Sequence, residues 1–301
     1  MNMNEPCNAC PRQCNVVRPL MAADSTVLPG YCHSPLQPLV ARAALHQWEE
    51  PCISGSRGSG TIFFTSCNLQ CCFCQNSIIS KDRQGKQITV ERLRQIYGEL
   101  IGSGAHNINL VTPTPFTQAI LDSLEKPLPV PVVYNCGGYE SPATIDKLAG
   151  SVQIYLPDLK YMDPVLARKY SAAPDYPEIA TAAIRHMYDQ TGPYQMDDDG
   201  LLQRGVIIRH LILPNCLNNT KAVIDWVADN FAEGEILFSL MRQYVPCGTA
   251  PDYPEINRPL TEEEYDEAEQ YLFESGIEDG FVQEKDSADT CYIPEFNGEG
   301  V

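Results

Sequence analysis

Three cysteines in one short stretch of the chain have the spacing of metal ligands. Cys67, Cys71 and Cys74 follow the pattern C-x3-C-x2-C, and steps of this length bring neighbouring thiolates to one metal centre. A cubane iron–sulfur cluster normally takes four thiolates, so three of them leave one iron atom without a protein ligand. A metal needs such an open position to bind and activate a small molecule. The triad therefore predicts a [4Fe–4S] cluster with one open iron.

Another cysteine in the same stretch leaves a second way of counting. Cys72 forms the pattern C-x4-C-x-C with Cys67 and Cys74. Because a single intervening residue strains the chelation of one cluster, we favour Cys71 over Cys72 as the ligand. A structural group of buried cysteines is the alternative interpretation.

A second group of four cysteines lies near the start of the chain, at Cys7, Cys10, Cys14 and Cys32. Four thiols are enough for a tetrahedral zinc site or for a second cluster, and the spacing does not choose between these. Ordinary buried thiols are the alternative. We favour a structural metal, since it would fold a segment that has little core of its own. Residues 1–50 are thus predicted to form a cysteine-rich metal-binding or cluster-binding segment ahead of a domain at 51–301.

Composition limits the partners and the compartment. The 301 residues include 21 basic and 39 acidic side chains, a net charge of -18, which repels nucleic acid and anionic membranes. No apolar run approaches the length of about 18 residues that a membrane span needs. The first residues lack the basic and apolar regions of a secretion signal. The thirteen cysteines include these two groups with metal-type spacings, which favours reduced thiols, so we expect a cytoplasmic protein.

The elements that must position these residues can be predicted from residue 60 onward. Short apolar runs predict strands at 61–65, 107–111, 130–135, 152–156, 206–213 and 235–240. Helical patterns lie between and after them, at 89–103, 116–124, 142–148, 164–170, 179–190 and 220–230. A capping box from Thr261 to Glu264 opens one more helix, to about Ser275.

This alternation favours an α/β fold with a parallel sheet and helices outside it. About six βα units are fewer than a closed barrel has, so we predict a partial, open parallel β/α barrel. The cysteine triad follows the first predicted strand directly. It should therefore lie at the carboxyl end of the sheet, where βα loops build active sites.

The chain resembles the radical S-adenosylmethionine (SAM) superfamily in one motif, Cys67-x3-Cys71-x-Phe-Cys74, which follows the first predicted strand. It is more closely similar to a branch of iron–sulfur proteins that resemble the pyruvate formate-lyase activating enzyme. The motifs that carry this resemblance are Cys7-x2-Cys10-Pro-Arg-x-Cys14, Ser59 to Thr65, Cys74-Gln-Asn76, Leu110 to Thr114, Tyr155 to Lys160, Ile208 to Pro214, Ser239 to Tyr244 and Tyr292 to Phe296.

The resemblance implies a [4Fe–4S] cluster whose open iron chelates the amino and carboxylate groups of SAM. One electron then cleaves SAM to a 5′-deoxyadenosyl radical, which abstracts hydrogen from a protein or a small-molecule substrate. A glycyl-radical enzyme is one candidate substrate. The resemblance also implies a flavodoxin-type or ferredoxin-type electron donor. The competing interpretation is an iron–sulfur electron-transfer or metal-binding protein that does not turn SAM over.

The resemblance suggests which loops would hold SAM. Related proteins bind the methionine amine with a Gly-Gly-Glu turn after the second strand, where this chain has Thr112-Pro-Thr-Pro115. The hydroxyls of Thr112 and Thr114 can accept a hydrogen bond from an ammonium group. The absent glutamate is a departure from the family pattern.

Other candidate cofactor ligands lie near the ends of later strands. Asn135 precedes two glycines that permit close backbone approach to a ligand, and its amide suits a ribose hydroxyl. Asp158 suits the ribose or the sulfonium, and Lys160 suits the methionine carboxylate, although a structural ion pair between the two is the alternative. Arg209 lies inside an apolar strand and needs a partner, either a cofactor carboxylate or Asp158. Its neighbour His210 is predicted to be a hydrogen-bonded core residue.

Two further cysteines, Cys136 and Cys247, fall at or near the ends of predicted strands. Either thiol could face the cavity and act as a hydrogen-atom donor. The alternative is that they are small buried hydrophobic residues, as we expect for Cys52, Cys216 and Cys291.

Overall fold

The computed structural model describes residues 5–22, 28–283 and 294–301. Cys291 and the beginning of the motif Tyr292 to Phe296 lie outside these residues. The strands are β1 Leu39–His46, β2 Ser59–Phe64, β3 Lys86–Gln87, β4 Ile108–Val111, β5 Val132–Cys136, β6 Ile154–Pro157, β7 Gln195–Met196, β8 Leu202–Leu211, β9 Leu237–Met241 and β10 Gly280–Val282.

These strands form one sheet in the order β10-β9-β8-β6-β5-β4-β2-β1-β3, with β7 added beside β8. Neighbours from β2 to β10 run parallel, whereas β1 is antiparallel to β2. Within the described chain the end strands β3 and β10 do not pair, so the barrel stays open. The predicted fold class is confirmed, and each of the six predicted strands is present with bounds that differ by a few residues.

The longer helices pack outside the sheet. The α-helices of the described residues are α1 Pro51–Ser54, α2 Ser77–Ser80, α3 Val90–Gly102, α4 Thr117–Ser123, α5 Pro142–Leu148, α6 Pro164–Ser171, α7 Tyr176–Thr191, α8 Leu217–Asn230 and α9 Glu262–Glu274. Thr261 and Glu264 form the predicted capping box of α9. No helix of the described residues is long and apolar enough to cross a membrane.

An apolar plug fills the barrel near the starts of its strands. The short helix α1 contributes Cys52 and Ile53, which pack against inward-facing strand residues such as Val133, Ile154 and Leu237. Side chains alternate between the two faces of a strand, so the next inward positions are Asn135 on β5 and Ser239 on β9. The barrel interior thus changes from apolar at one end to polar toward the carboxyl ends of the strands.

The predicted N-terminal segment divides between the barrel and its rim. Strand β1 lies within residues 1–50, yet it pairs with β2 from Val40↔Phe64 to His46↔Ser59. Its sequence, Leu-Val-Ala-Arg-Ala-Ala-Leu-His, does not alternate apolar and polar residues, and for this reason β1 was not predicted from the sequence. Residues ahead of it cover the carboxyl-end loops, where Arg18 Nη1 donates to Pro115 O at 2.6 Å and Thr144 Oγ1 donates to Ala9 O at 2.6 Å.

Candidate active site

The cysteine triad lies in the loop that follows β2. Cys67, Cys71 and Cys74 line one cavity of about 260 Å³. Cys72 is outside the lining: its backbone N–H donates to Tyr170 O at 2.8 Å and its carbonyl accepts from Thr249 N at 2.8 Å. This placement favours the C-x3-C-x2-C reading of the loop.

The structure brings most of the predicted site residues to the same cavity, at the carboxyl ends of the strands. Its lining includes Thr112, Thr114, Asn135, Cys136, Asp158, Lys160 and Arg209. The cysteines Cys7, Cys10, Cys14, Cys32 and Cys247 are not part of this lining.

Arg209 is the centre of a buried ionic group in the wall of the cavity. Its Nε donates to Asp158 Oδ1 at 3.0 Å, its Nη1 to Glu49 Oε2 at 3.2 Å, and its Nη2 to Asn135 Oδ1 at 2.7 Å. Lys160 Nζ bonds Asp158 Oδ2 at 2.5 Å. The predicted contact between Arg209 and Asp158 is therefore present, and so is the ion pair between Asp158 and Lys160.

Burial and charge act against each other in this group. Burial raises the pKa of Asp158, but the cations Lys160 and Arg209 outweigh it and hold the pKa below its ordinary value. For Glu49, burial dominates the charge of Arg209, and the pKa lies above its ordinary value. Asp158 is thus the firmly ionised partner of Arg209, and Glu49 is the partner that takes up a proton first as the pH falls.

Glu49 was not predicted from the sequence. It lies between β1 and α1, in the segment assigned to the N-terminal region, and reaches into the barrel from the end that α1 closes. There its Oε1 accepts from Asn109 Nδ2 at 3.0 Å and from Asn135 Nδ2 at 3.3 Å. The run Trp48-Glu-Glu-Pro51 carries no local signal of an inward-facing acid.

A second buried acid stands behind the Thr-Pro-Thr-Pro loop. Thr114 Oγ1 donates to Glu140 Oε1 at 2.5 Å, and Tyr134 OH donates to Glu140 Oε2 at 3.3 Å. Glu140 has no solvent exposure, and this burial raises its pKa to about 8. A carboxyl group is therefore present beside this loop, although it comes from the loop after β5.

Glu140→Gln should remove one pH dependence of stability. An unfolded glutamate ionises near a pKa of about 4.3, whereas folded Glu140 keeps its proton up to about 8. Between these values the unfolded state binds fewer protons, so wild-type stability falls as the pH rises, and the loss stops above about 8. In urea unfolding at pH 5.5 and pH 8, the free energy of unfolding of the variant relative to that of the wild type should be higher at pH 8. An unchanged difference between the two proteins would contradict the raised pKa.

Of the two glycines after Cys136, Gly137 lines the cavity, whereas Gly138 is required by the packing of the protein itself. Gly138 has φ +79°, and a Cβ there would collide with the carbonyl oxygen of Asp158. Tyr176 OH donates in the same place, within 2.7 Å of Asp158 O and 2.9 Å of Gly137 O. Gly138 thus permits the close approach of the loop after β6, and close approach of a ligand to Gly137 stays a prediction.

His210 is buried, as predicted. Its Nδ1 is 2.7 Å from Leu159 O and its Nε2 is 3.0 Å from Thr220 Oγ1. Burial lowers its pKa to about 4, so the ring is neutral at physiological pH. The histidine helps to hold the loop after β6 against β8.

The described residues contain no group of three or more cysteine, histidine, aspartate or glutamate side chains that could hold a metal ion. The predicted zinc site or second cluster at Cys7, Cys10, Cys14 and Cys32 therefore stays a prediction. A cubane does not need thiols that converge on one point, because each thiolate binds a different iron atom.

The triad residues fit a cubane in their chemistry. All three thiols line the same cavity, and each sulfur accepts a hydrogen bond. Leu69 N donates to Cys67 Sγ at 3.4 Å, Ser171 Oγ to Cys71 Sγ at 3.0 Å, and Ser80 Oγ to Cys74 Sγ at 3.4 Å. Thiolates on iron are hydrogen-bond acceptors, and donors to them are typical of such sites.

No protein-family model matches the chain. Among solved structures it is similar to methylornithine synthase (PylB), with 17% identity, a TM-score of 0.51, and coverage of 80% of this chain and 65% of that one. It is also similar to SuiB of Streptococcus suis bound to S-adenosylmethionine, with 10% identity, a TM-score of 0.50, and coverage of 73% and 48%. The chain thus spans less than two thirds of either protein. Both are radical SAM enzymes, and at these identities what the chain shares with them is the fold.

A curated relative is similar along most of its length. The "Uncharacterized protein MJ0674" of Methanocaldococcus jannaschii is 30% identical over 277 residues, which cover 89% of this chain and 74% of the relative. At this identity and coverage, the chain belongs to the family of MJ0674.

Proposed function

We propose that this protein is a radical SAM enzyme. Cys67, Cys71 and Cys74 would hold a [4Fe–4S] cluster, and SAM would bind in the cavity beside them. The cofactors would supply the reductive cleavage of SAM and the hydrogen abstraction that follows it. The observation that carries the proposal is that the three thiols share one cavity with the side chains predicted to bind SAM.

Two side chains of the cavity have the hydrogen-bonding capacity that an amino acid ligand needs. Thr114 donates its proton to Glu140, which leaves its oxygen free to accept from an ammonium group. Lys160 Nζ has three hydrogens, and its bond to Asp158 uses one. We therefore assign the amino end of the ligand to Thr114, with Thr112 beside it, and the carboxylate end to Lys160.

Asn135 and Asp158 remain the candidates for the ribose hydroxyls. Arg209 takes a different role, because all three of its nitrogens donate to protein groups. It holds Asp158 and Asn135 in the cavity wall, and so we treat it as a positioning residue.

The substrate class stays open between a protein and a small molecule. SuiB, which shares the fold, has been solved bound to its precursor peptide SuiA, and this supports a polypeptide substrate as one possibility. Activation of a glycyl-radical enzyme is one version of it. A cytoplasmic location and a flavodoxin-type or ferredoxin-type electron donor belong to the same proposal.

The direct test is anaerobic reconstitution with iron and sulfide, followed by reaction with SAM and dithionite. We expect 5′-deoxyadenosine to form, and we expect SAM to change the electron paramagnetic resonance (EPR) spectrum of the reduced cluster. A cluster that assembles but neither responds to SAM nor yields the nucleoside would favour the electron-transfer alternative instead.

Cys136 gives a prediction that needs no knowledge of the substrate. It lines the cavity, and burial raises the pKa of its thiol, which therefore keeps its exchangeable hydrogen at neutral pH. In D₂O, a thiol within reach should put deuterium into the 5′-deoxyadenosine that forms without substrate. Cys136→Ser should lower this incorporation several-fold by mass spectrometry, and Cys247→Ser, outside the lining, should not. Equal incorporation in all three proteins would exclude Cys136 as a donor.

A further inference from the structure

One hydroxyl group reaches the cysteine triad from a distant part of the chain. Ser171, at the end of α6, donates to Cys71 Sγ at 3.0 Å, which is shorter than the bonds of 3.4 Å from Leu69 N to Cys67 Sγ and from Ser80 Oγ to Cys74 Sγ. Ser171 is 2% exposed and Cys71 is 7% exposed. A charge-assisted bond to a thiolate is strong in such a place, because water does not compete for the sulfur.

A buried tyrosine fixes the direction of this bond. Tyr161 OH is 2.9 Å from Ser171 Oγ, and Tyr161 has no solvent exposure. A metal-bound thiolate can only accept, so Ser171 must give its proton to Cys71 and accept the proton of Tyr161. The three groups then form a chain of hydrogen bonds in which each bond strengthens the next.

An arginine of the N-terminal segment holds the backbone of Ser171. Arg12 Nη2 donates to Ser171 O at 2.9 Å, its Nη1 to Ala172 O at 2.6 Å, and its Nε to Asn68 O at 2.8 Å. Its guanidinium lies 3.9 Å from the ring centroid of Tyr31. Carbonyls at the end of a helix lack partners within the helix and attract a cation. Arg12 therefore ties the end of α6 to the cysteine loop.

We propose that Ser171, held by Tyr161 and Arg12, is a positioning residue that raises the reduction potential of the cluster at Cys67, Cys71 and Cys74. The inference rests on the cluster of the proposed function, but not on SAM turnover. Reduction adds negative charge to the cluster, and a donor to a ligand sulfur stabilises that charge. The cysteine-rich N-terminal segment is thus coupled to the cluster through Arg12, whatever its own cysteines bind.

The test is an EPR-monitored redox titration of the reconstituted protein without SAM, with iron and sulfide measured for each variant. Ser171→Ala should lower the midpoint potential by about 59 mV for one electron. This corresponds to an about tenfold lower ratio of reduced to oxidised cluster at a given potential. Ser171→Thr keeps the hydroxyl and should stay near the wild type. Tyr161→Phe leaves Ser171 in place and should give a smaller shift in the same direction.

Two control variants separate this effect from general damage to the fold. Ser123→Ala removes a buried serine that is 2.9 Å from a tyrosine hydroxyl, that of Tyr97, but is remote from the triad, and it should not shift the potential. Ser80→Ala removes the hydroxyl that donates to Cys74, and Ser80 has no contact with Arg12. Arg12→Gln alone should lower the potential. Combined with Ser171→Ala, it should give less than the sum of the two single shifts, whereas combined with Ser80→Ala it should give the full sum.

The outcomes separate this inference from the proposed function. A fully loaded Ser171→Ala protein with the wild-type potential would overturn the inference and leave SAM cleavage untouched. Additive effects of Arg12→Gln and Ser171→Ala would overturn the coupling to the N-terminal segment. If the wild type assembles no cubane, the proposed function and the inference fail together.

Discussion

Replacing Cys71 with alanine should abolish 5′-deoxyadenosine formation in the reconstituted protein. With two thiolates left, two of the four iron atoms of the cubane have no protein ligand and are exposed to solvent in the cavity, so the cluster is not held. Iron and sulfide content should fall with activity, to the level of protein that was not reconstituted. The same result is expected for Cys67→Ala and Cys74→Ala, because all three sulfurs face the same cavity.

Cys72→Ala is the matched control for these variants. Its side chain is 5% exposed and lies outside the cavity lining, and its hydrogen bonds to Tyr170 and Thr249 are made by the backbone. Loss of the sulfur should therefore cost only packing, and cluster content should stay at the wild-type level. If Cys72→Ala loses the cluster while Cys71→Ala keeps it, the ligands follow the C-x4-C-x-C pattern instead.

The parts of the site that could be predicted from the sequence are those that lie on or directly after parallel strands. Continuous apolar runs located β4, β5, β6 and β8, and the carboxyl ends of parallel strands meet at one rim. Asn135, Asp158 and Arg209 could therefore be assigned to one cavity without knowledge of their contacts. Asp158 and Lys160 are separated by one residue, which predicted that they face the same way.

The residues that could not be predicted reach the site from outside the strands. Glu49 follows β1, whose alanine-rich sequence lacks strand alternation, and so nothing indicated that this segment enters the barrel. Glu140 and Ser171 meet Thr114 and Cys71 across 26 and 100 residues of chain, and no spacing pattern encodes such contacts. Glu49 and Glu140 thus add buried acids to the site, and Ser171 adds a hydrogen-bond donor to sulfur, none of which was predicted from the sequence.

Arg209→Met should destabilise the protein by about 3–5 kcal/mol at pH 8, the typical cost of breaking a buried ion pair on one side. Asp158 would keep Lys160 as a partner. Glu49 would keep only the amides of Asn109 and Asn135, and its charge would be left in a site with 9% exposure. Because burial already raises the pKa of Glu49, the variant should lose less stability at pH 5, where this carboxyl can take up a proton.

Urea unfolding at the two pH values measures this effect, and two further variants identify its origin. Lys221→Met breaks an ion pair of 2.7 Å with the more exposed Glu267 and should cost less than about 1 kcal/mol. Adding Glu49→Gln to Arg209→Met removes the unpaired charge and should restore part of the lost stability at pH 8. If Arg209→Met costs no more than Lys221→Met, the buried ions contribute little to folding. A buried charge that adds no stability to the fold still needs neighbouring groups to solvate it. The position of Arg209, Asp158 and Glu49 in the cavity wall would then have to be explained by ligand binding alone.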